Sequence, residues 1–577
     1  MPESSPGPTV AYFSLEIALE SGIPTYAGGL GVLAGDTLRA AADSGAAVVG
    51  VTLLYRGGYF KQRLDAAGKQ SEENQSWTPE QLLHPVEPTV TIQVRGRQVH
   101  VRAWRYSVRG NNGEEVPVFL LDTDLPQNDP RDRSIADLLY GGDEEHRLVQ
   151  ETVLGFGGIA LLHALEYSGI SVFHMNEGHS ALLGLALLEQ RSSADKDGEI
   201  LFSSHDVELV RQSCVFTTHT PVAAGHDKFS RSLVAGVLGN RRVETLERLG
   251  CCQGGVLNMT YLALFFSRYV NGVSLRHEQI SKGMFPNYPI NSISNGVHAL
   301  TWTSGPFAGL FDRRMPEWRS DNEYLRNAVL LQLEDIRAAH MEAKGELLSA
   351  VEQRSGVRLD STVFTIGFAR RSTAYKRPDL IFHSTARLRS IAERVGPIQL
   401  VFAGKAHPHD TGGKEIIRRL HELGRALADG VKFVYLADYD MDTARLMCSG
   451  VDLWINTPLK PYEASGTSGM KAAINGVPSL SVLDGWWVEG CIEGVTGWAI
   501  GREWVPGEAG DTAAESEFLY DKLELLIAPM YYNRPDLYAA IMRSAIALNG
   551  SYYTAQRMFD QYLRNAYGPS SRRVAGM

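Results

Sequence analysis

The sequence predicts an α/β protein built from two parallel-sheet domains. Buried apolar segments alternate with glycine-rich turns and helical segments along most of the 577 residues, and this alternation occurs in two separate runs. A short, polar, turn-rich segment, PINSISNGVHALTW, lies between the runs. Ligands bind beyond the carboxyl ends of the strands in such sheets. Because polar residues and glycines cluster at these ends, we expect a site in a cleft between the two domains.

The first run begins with a strand and a helix that stops at a glycine. The strand is TVAYFSL and the helix is VLAGDTLRAAADSG, with TYAGGLG between them. AAVVGVTLLY follows as a buried strand. Between residues 90 and 120 three alternating segments predict antiparallel strands at one edge, TVTIQV, HVRAWRYSV and VPVFLLDTDL. The segment that starts YGGDEEHRL is helical, and ISVFHMNEG and CVFTTHTPVAAG are strands.

The second run follows helical segments at 320–355. Its predicted strands are TVFTIGFARR, IQLVFAGKAH, VKFVYLADYD, VDLWINTP and PSLSVLD, with helical segments between them. The chain then ends in two helices, DLYAAIMRSAIALNG and TAQRMFDQYLRNAYG.

The composition narrows the class of protein. The chain is 44% apolar and 21% charged with a net charge of −10, which argues against a general polyanion binder but leaves room for a local basic pocket. Its five cysteines do not have the spacing of a zinc site. We therefore expect a protein of the reducing cytoplasm without a structural metal. The N-terminal residues lack the features of a secretory signal, and no apolar stretch predicts a membrane span.

Two glycine-rich segments predict anion cradles at helix starts. In YAGGLGVLAGD the glycines Gly28, Gly29 and Gly31 lie between a strand and a helix, where backbone N–H groups can approach an anion. EASGTSGMK combines small turn formers with Lys471, and a lysine screened from water can form a Schiff base. The alternatives are a simple tight turn in the first case and a capped helix with an exposed lysine in the second.

Basic residues follow two strands of the second run. FARRSTAYKRPDL carries four cationic side chains just past a buried strand, which favours an anionic ligand over a solvated face. GKAHPHDTGGK adds two lysines and two histidines, for which an exposed loop is the simpler interpretation. The histidines of FHMNEGHSA and FTTHTPVAAGH lack the helical metalloprotease spacing, so they favour a hydroxyl-rich ligand over a metal.

Taken together, these segments resemble the α-glucan phosphorylases, the family of glycogen and maltodextrin phosphorylases. The matching segments occur in family order over about residues 10–500. They are YFSLEIALESGIPTYAGGLGVLAGD, YGGDEEHRL, HMNEGHSA, FTTHTPVAAGHDKF, NGVSLRHEQIS, SISNGVHALTW, FARRSTAYKRP, GKAHPHDTGGK, DYDMDTARL and PYEASGTSGMKAAINGVPSLSVLDGWW. The chain is shorter than the animal and plant enzymes and is similar to the compact bacterial and archaeal members.

The resemblance implies a GT-B fold, in which two Rossmann-like, doubly wound domains enclose a central cleft. It implies an N-terminal domain for glucan and phosphate at 1–300 and a C-terminal domain for the cofactor at 301–548. A helical segment at 549–577 is expected to cross back to the N-terminal domain. The regulatory N-terminal extension of the animal enzyme has no counterpart, so control by phosphorylation there is not expected.

The resemblance also implies the cofactor pyridoxal 5′-phosphate, held by Lys471 as a Schiff base. The other residues expected around this cofactor are Arg370, Thr467, Ser468, Trp302 and Tyr439. The expected substrate-binding residues are Arg371, Lys376 and the backbone N–H of Gly29 for phosphate, with Glu463, Asn295 and His277 for the glucosyl unit. Catalytic roles are expected for Lys471, Arg371, Lys376 and His277. Two positions depart from the long family members: Ala27 replaces an asparagine and Asp440 replaces an arginine.

The implied reaction is the reversible phosphorolysis of an α-1,4-glucan by inorganic phosphate, which yields α-glucose 1-phosphate with retention. The cofactor phosphate would relay the proton. Two other classes stay open, a nucleotide-sugar transferase and a non-catalytic glucan-binding protein, as does a phosphorylase for an unusual acceptor. In many nucleotide-sugar transferases of this fold a second glutamate stands eight residues after the first, and here that position is Lys471. No nucleic acid, membrane or metal partner is implied, and a homo-oligomer is compatible with the family.

Overall fold

The computed structural model describes residues 10–194, 200–222, 225–427, 430–505, 507 and 510–568. The predicted strand TVAYFSL, the proposed domain ends at 1 and 577 and the loop after CVFTTHTPV fall partly outside these residues. No helix in these ranges is long and apolar enough to cross a membrane.

In the described part of the first half, the chain forms sixteen strands and eleven α-helices. The strands are β1 (Val10–Phe13), β2 (Val48–Leu53), β3 (Lys61–Leu64), β4 (Gln70–Glu73), β5 (His84–Val94), β6 (Arg97–Arg109), β7 (Glu115–Asp122), β8 (Val172–Asn176), β9 (Ser193–Ala194), β10 (Ile200–Leu201), β11 (Cys214–Thr217), β12 (Lys228–Ser230), β13 (Cys252–Gln253), β14 (Val256–Asn258), β15 (Tyr269–Gly272) and β16 (Asn291–Ser292). The helices are α1 (Gly29–Asp43), α2 (Pro130–Arg133), α3 (Glu144–Thr152), α4 (Gly158–Ala164), α5 (Leu182–Arg191), α6 (Ser204–Ser213), α7 (Arg231–Leu238), α8 (Asn240–Arg248), α9 (Met259–Phe265), α10 (Leu275–Met284) and α11 (Ala299–Trp302).

Nine of these strands form one mixed sheet in the order β16-β15-β11-β8-β1-β2-β7-β6-β5. The strands from β16 to β7 run parallel, and β6 and β5 extend the sheet antiparallel at one edge, as predicted. The third predicted edge strand, β7, pairs antiparallel with β6 but parallel with β2, so it lies inside the sheet. β1 and β2 are buried along their whole length, because helices cover both faces of a parallel sheet. Sequence patterns missed β15 and β16, whose short, polar segments lie at the other edge.

The residues described in the second half form six strands and eleven α-helices. The strands are β17 (Phe364–Ala369), β18 (Ile398–Ala403), β19 (Val431–Leu436), β20 (Leu453–Asn456), β21 (Ser479–Val482) and β22 (Gly497–Ile500). The helices are α12 (Gly305–Arg314), α13 (Leu333–Ser355), α14 (Thr385–Arg394), α15 (Thr411–Ala426), α16 (Met441–Gly450), α17 (Ser468–Ile474), α18 (Trp487–Gly490), α19 (Thr512–Lys522), α20 (Ala528–Asn533), α21 (Pro535–Ser544) and α22 (Ala555–Tyr562).

All six strands of this second sheet are parallel, in the order β19-β18-β17-β20-β21-β22. The five predicted strands are present, and the prediction of two large parallel sheets is confirmed. β22 was missed because its four residues, GWAI, follow a turn and lack a long apolar run. The strand order reverses on either side of β17, as in doubly wound folds.

The end of the described chain packs on the first sheet. Met558, Phe559 and Tyr562 of α22 share a buried apolar cluster with Val10 and Tyr12 of β1. The Tyr562 hydroxyl also accepts a hydrogen bond from Asn271 Nδ2 at 3.0 Å. The chain therefore returns to its first domain after completing the second. The domain bounds 1–300, 301–548 and 549–577 remain predictions.

A hairpin of the first half also contacts the second sheet. Gln62 in β3 donates from Nε2 to the Gly404 carbonyl at 2.9 Å and accepts from the Asp438 N–H at 2.8 Å. Gln70 in β4 donates to the Ala406 carbonyl at 2.9 Å. These glutamines are buried, so the hairpin formed by β3 and β4 ties the two halves together beside the cleft.

A buried ion pair fixes α13 against β20. Lys344 Nζ lies 2.6 Å from Asp452 Oδ2, and both side chains are fully enclosed. Removing one partner of such a pair leaves an uncompensated buried charge. We expect Lys344→Met to lower the unfolding free energy by about 3–5 kcal/mol. Lys282→Met, in an exposed i,i+4 pair with Glu278, should change it by less than about 1 kcal/mol in the same denaturant experiment.

The pH dependence of this effect follows from Asp452. Burial alone would raise the pKa of this carboxyl, but the charges of Lys344 and His340 bring it below its usual range. Its stabilising contribution is therefore complete above the unfolded pKa of about 4 and is lost as the pH falls through the folded pKa. The difference between wild type and Lys344→Met should shrink in acid. An equal difference at every pH would contradict this assignment.

Candidate active site

The candidate site lies where the loops after strands of both sheets meet. Ser274, which caps α10 after β15, donates from Oγ to the Ala464 carbonyl after β20 at 2.7 Å. Across the same cleft, the Met441 N–H donates to the Tyr26 hydroxyl at 3.2 Å. The structure thus brings together the segments that carry most of the predicted site residues.

Gly29 opens α1 in a loop that a buried carboxylate organises. Glu16 Oε2 accepts from the N–H groups of Ala27 at 2.7 Å and Gly28 at 3.2 Å, and Glu16 Oε1 accepts from the Tyr140 hydroxyl at 2.8 Å. A Cβ at Gly29 would meet no atom within 4 Å. A ligand can therefore approach this backbone closely, as expected for an anion at a helix start. Ala27, one of the two departures from the family pattern, contributes its backbone N–H to this attachment on Glu16.

Three predicted residues form one ionic cluster. Glu463 Oε2 lies 2.6 Å from Arg370 Nη1 and 2.5 Å from Lys376 Nζ, and Arg370 Nη2 donates to Glu463 Oε1 at 3.0 Å. Burial alone would raise the pKa of Glu463, but the charges of Arg370 and Lys376 lower it to about 2. Glu463 is therefore an anion at neutral pH. One carboxylate shared by two cations leaves net positive charge for another anion.

Arg371 differs from its neighbour Arg370 because solvent reaches its side chain. Tyr375, Tyr59 and Tyr140 interact electrostatically with its guanidinium. Its charge also lowers the pKa of Glu16, which burial raises. Arg371 of the second half is therefore near enough to Glu16, which holds the glycine loop of the first half, to influence its charge.

Lys471 is buried in α17 against an aromatic ring. Its Nζ lies 3.6 Å from the centre of the Trp302 ring. Burial lowers the pKa of Lys471, and the Asp36 carboxylate offsets part of this effect. Asp36 Oδ2 accepts from Trp302 Nε1 at 2.8 Å, so it orients the ring that covers the amine. This environment favours the neutral, nucleophilic form of a lysine.

Thr467 and Ser468 stand at the start of the same helix. Ser468 Oγ accepts from Trp454 Nε1 at 3.2 Å, while the Thr467 side chain makes no capping bond. Tyr439 interacts electrostatically with Arg370. Asp440, the second departure from the family pattern, caps α16 by accepting from the Thr443 N–H at 2.8 Å. It has a structural role in this chain.

His277 and Asn295 present unsatisfied polar atoms. His277 is fully buried, and its Nδ1 accepts from the Val273 N–H at 3.3 Å, which leaves the proton on Nε2. Burial lowers the pKa of His277 to about 4, so the ring is neutral. Among the described residues, Asn295 Oδ1 has no hydrogen-bond partner; His277 Nε2 has none of good geometry, although the Thr220 backbone acts on this ring and offsets part of the effect of burial on the His277 pKa. Buried donors and acceptors without partners point to a polar ligand.

Other predicted polar residues lie outside this site. Lys405 pairs with Asp438 at 2.7 Å and Lys414 with Glu72 at 2.8 Å, so both lysines serve contacts near the hairpin of β3 and β4. His174 bonds to Thr217 at 2.9 Å and His179 accepts from the Leu15 N–H at 3.0 Å. Over the described ranges, no three metal-ligating side chains cluster.

Three carboxylates of the site escaped the sequence patterns. Glu16 and Asp36 are acidic residues inside apolar segments, and this pattern is visible in the sequence. The pattern does not show which groups they contact. Asp484 accepts from the Glu463 N–H at 2.9 Å, and burial raises its pKa to about 7. Its role depends on a contact across 21 residues of chain that no local pattern shows.

Comparison with known proteins decides the family. Residues 222–497 match the model of the carbohydrate phosphorylases. The chain is 37% identical to a maltodextrin phosphorylase of Thermococcus litoralis, over 97% of this chain and 70% of the relative. The chain belongs to the carbohydrate phosphorylase family. A glycogen phosphorylase of Aquifex aeolicus is 34% identical over 97% of this chain and 86% of its own length. An uncharacterized protein of Methanocaldococcus jannaschii is 30% identical over 96% of this chain and 99% of its own length.

Proposed function

We propose that this carbohydrate phosphorylase cleaves the non-reducing end of an α-1,4-glucan with inorganic phosphate and releases α-glucose 1-phosphate. The observation that carries the proposal is the buried Lys471, whose amine faces the Trp302 ring at 3.6 Å. A nucleotide-sugar transferase of this fold would carry a glutamate at that position. A glycogen or maltodextrin phosphorylase is also what the similar chains are named.

The residues around Lys471 fit pyridoxal 5′-phosphate. A buried amine of lowered pKa can attach an aldehyde covalently, and Trp302 offers a flat apolar wall. Thr467 and Ser468, at the start of α17, would hold the cofactor phosphate with Arg370, and Tyr439 would line its pocket. When bound, the cofactor would supply a phosphate group that exchanges a proton with the substrate phosphate.

Arg371, Lys376 and the Gly29 N–H would hold inorganic phosphate. Two phosphates placed close together repel each other, and by a rough Coulomb estimate this costs several kcal/mol. The cations Arg370, Arg371 and Lys376 would offset that repulsion. Binding of phosphate would draw Lys376 away from Glu463, which would free the carboxylate to accept a glucosyl hydroxyl. Asn295 Oδ1 and His277 Nε2 would bind the sugar near its 6-hydroxyl.

The protonation states of the nearby carboxyl groups support a proposal in which the bound phosphate does the acid–base work. Glu463, with a pKa of about 2, is ionised and cannot protonate the glycosidic oxygen at neutral pH. Asp484 retains a proton more readily, but its oxygens accept from the N–H groups of Glu463 and Gly485, so it orients the loop. The site thus favours proton donation by inorganic phosphate, followed by its attack from the same face. A glycosidase would use a pair of carboxyl groups instead.

Borohydride reduction and peptide mass mapping test this proposal. Protein purified with pyridoxal 5′-phosphate should carry the reduced pyridoxyl phosphate on Lys471, and an unmodified Lys471 would exclude the mechanism. Phosphate-dependent release of glucose 1-phosphate from a maltodextrin should accompany the label. Labelled protein without this activity would favour a non-catalytic glucan-binding protein. A cytoplasmic location and a homo-oligomer are further parts of the proposal, and light scattering would measure the latter.

A further inference from the structure

Residues 551–562, which follow the second sheet in the chain, hold the loop that carries Asn295. The Val297 N–H donates to the Tyr553 carbonyl at 2.9 Å, and the Ala555 N–H donates back to the Val297 carbonyl at 2.8 Å. Gly296 approaches Thr554 so closely that a Cβ would stand 2.0 Å from its carbonyl oxygen. The position of the Asn295 loop therefore depends on the C-terminal segment.

Arg557 is the centre of this attachment. Its Nη1 donates to the Ser294 carbonyl at 2.7 Å and its Nη2 donates to the Asn295 carbonyl at 2.9 Å. Its Nε donates to the Tyr552 carbonyl at 2.8 Å. The residue is 8% exposed, so these bonds are shielded from water. The planar guanidinium fixes the direction of all three bonds at once, which a lysine ammonium cannot do.

We infer that Arg557 is a positioning residue that sets Asn295 for recognition of the sugar 6-hydroxyl. This inference rests on the proposed function. Arg557 bonds the Asn295 backbone, while Asn295 Oδ1 is left without a partner. The Ser294 side chain is held from the other side by Glu489, and the Asn295 N–H donates to the Val273 carbonyl at 3.1 Å.

Removal of Arg557 should loosen one side of this loop. Two buried carbonyl oxygens, those of Ser294 and Asn295, would lose a charged donor. The loop would shift toward other donors, and a hydrogen bond to a substrate hydroxyl weakens steeply with distance and angle. The value of kcat/KM should therefore fall for substrates that have the 6-hydroxyl and stay the same for an analogue that lacks it.

The test compares glucose 1-phosphate with 6-deoxyglucose 1-phosphate in glucan synthesis. We expect Asn295→Ala and Arg557→Met each to reduce the ratio of their kcat/KM values by about tenfold or more. The double variant should show no further reduction, because both changes remove the same contact. Arg564→Met is the matched control, since Arg564 is an exposed arginine two residues after the end of α22. It should leave the ratio unchanged.

The outcomes separate this inference from the proposed function. An unchanged ratio in an active, folded Arg557→Met variant would overturn this inference but not the proposed function. Independent effects that multiply in the double variant would overturn it in the same way. If Arg557→Met does not fold, Arg557→Lys decides in the same way, because a lysine can still donate to one of the two carbonyls. A wild-type protein that neither makes nor uses glucose 1-phosphate would instead overturn the proposed function.

Discussion

Replacing Lys376 by methionine should remove most phosphorolysis while the protein stays folded. Lys376 is one of the cations expected to stabilise charge on the substrate phosphate, and loss of one such donor lowers kcat by about 10²–10³. The fold should tolerate the change, because Arg370 still pairs with Glu463 at 2.6 Å. Steady-state kinetics with varied phosphate and thermal unfolding would measure the two effects separately.

The control for Lys376→Met is the variant Lys432→Met, which changes an exposed lysine of β19. It should keep its activity. Lys376→Arg should recover part of the lost rate, since it restores the charge with different geometry. The assignment would fail if Lys376→Met unfolded and lost activity only in proportion to the unfolded fraction.

Lys471→Ala should abolish retention of the cofactor and, with it, the reaction. The amine is the attachment point in the proposed mechanism, and burial lowers its pKa, which favours the nucleophilic form. After gel filtration, the variant should contain no pyridoxal phosphate by absorbance, whereas wild type and Lys432→Met should retain about one per chain. Cofactor content is measured without any activity assay, so it reports on Lys471 itself.

Two results would contradict this expectation. A Lys471→Ala variant that keeps the cofactor would show attachment elsewhere in the chain. A variant that lacks the cofactor but cleaves maltodextrin with phosphate at the wild-type rate would show that the reaction does not need it. Glucosyl transfer from a nucleotide sugar, in place of phosphorolysis, would favour the nucleotide-sugar transferase class that the sequence left open.

Much of the fold was predictable because its signals are local. The strands β17 to β21 are apolar runs that end at glycine or polar residues, and this pattern identifies buried parallel strands without any knowledge of their neighbours. β15, β16 and β22 were missed since they are short and partly polar. Their strand character comes from pairing at a sheet edge, which only the neighbouring strand provides.

The candidate site shows the same division between features that are visible in the local sequence and features that depend on folding. The sequence by itself supplied the predicted site residues: Lys471, the cations Arg370, Arg371 and Lys376, and the glycines before α1. Each is marked by its residue type and by its place after a strand. These properties are encoded within a few positions of the chain.

Only the tertiary structure decided how these groups act on one another. It placed Glu463 between Arg370 and Lys376, which lowers the Glu463 pKa to about 2. It also bonded Arg557 to Asn295, across 262 positions of chain. The physical reason is that pKa values and side-chain directions depend on burial and on charges brought close by folding, and those distances have no counterpart in sequence spacing.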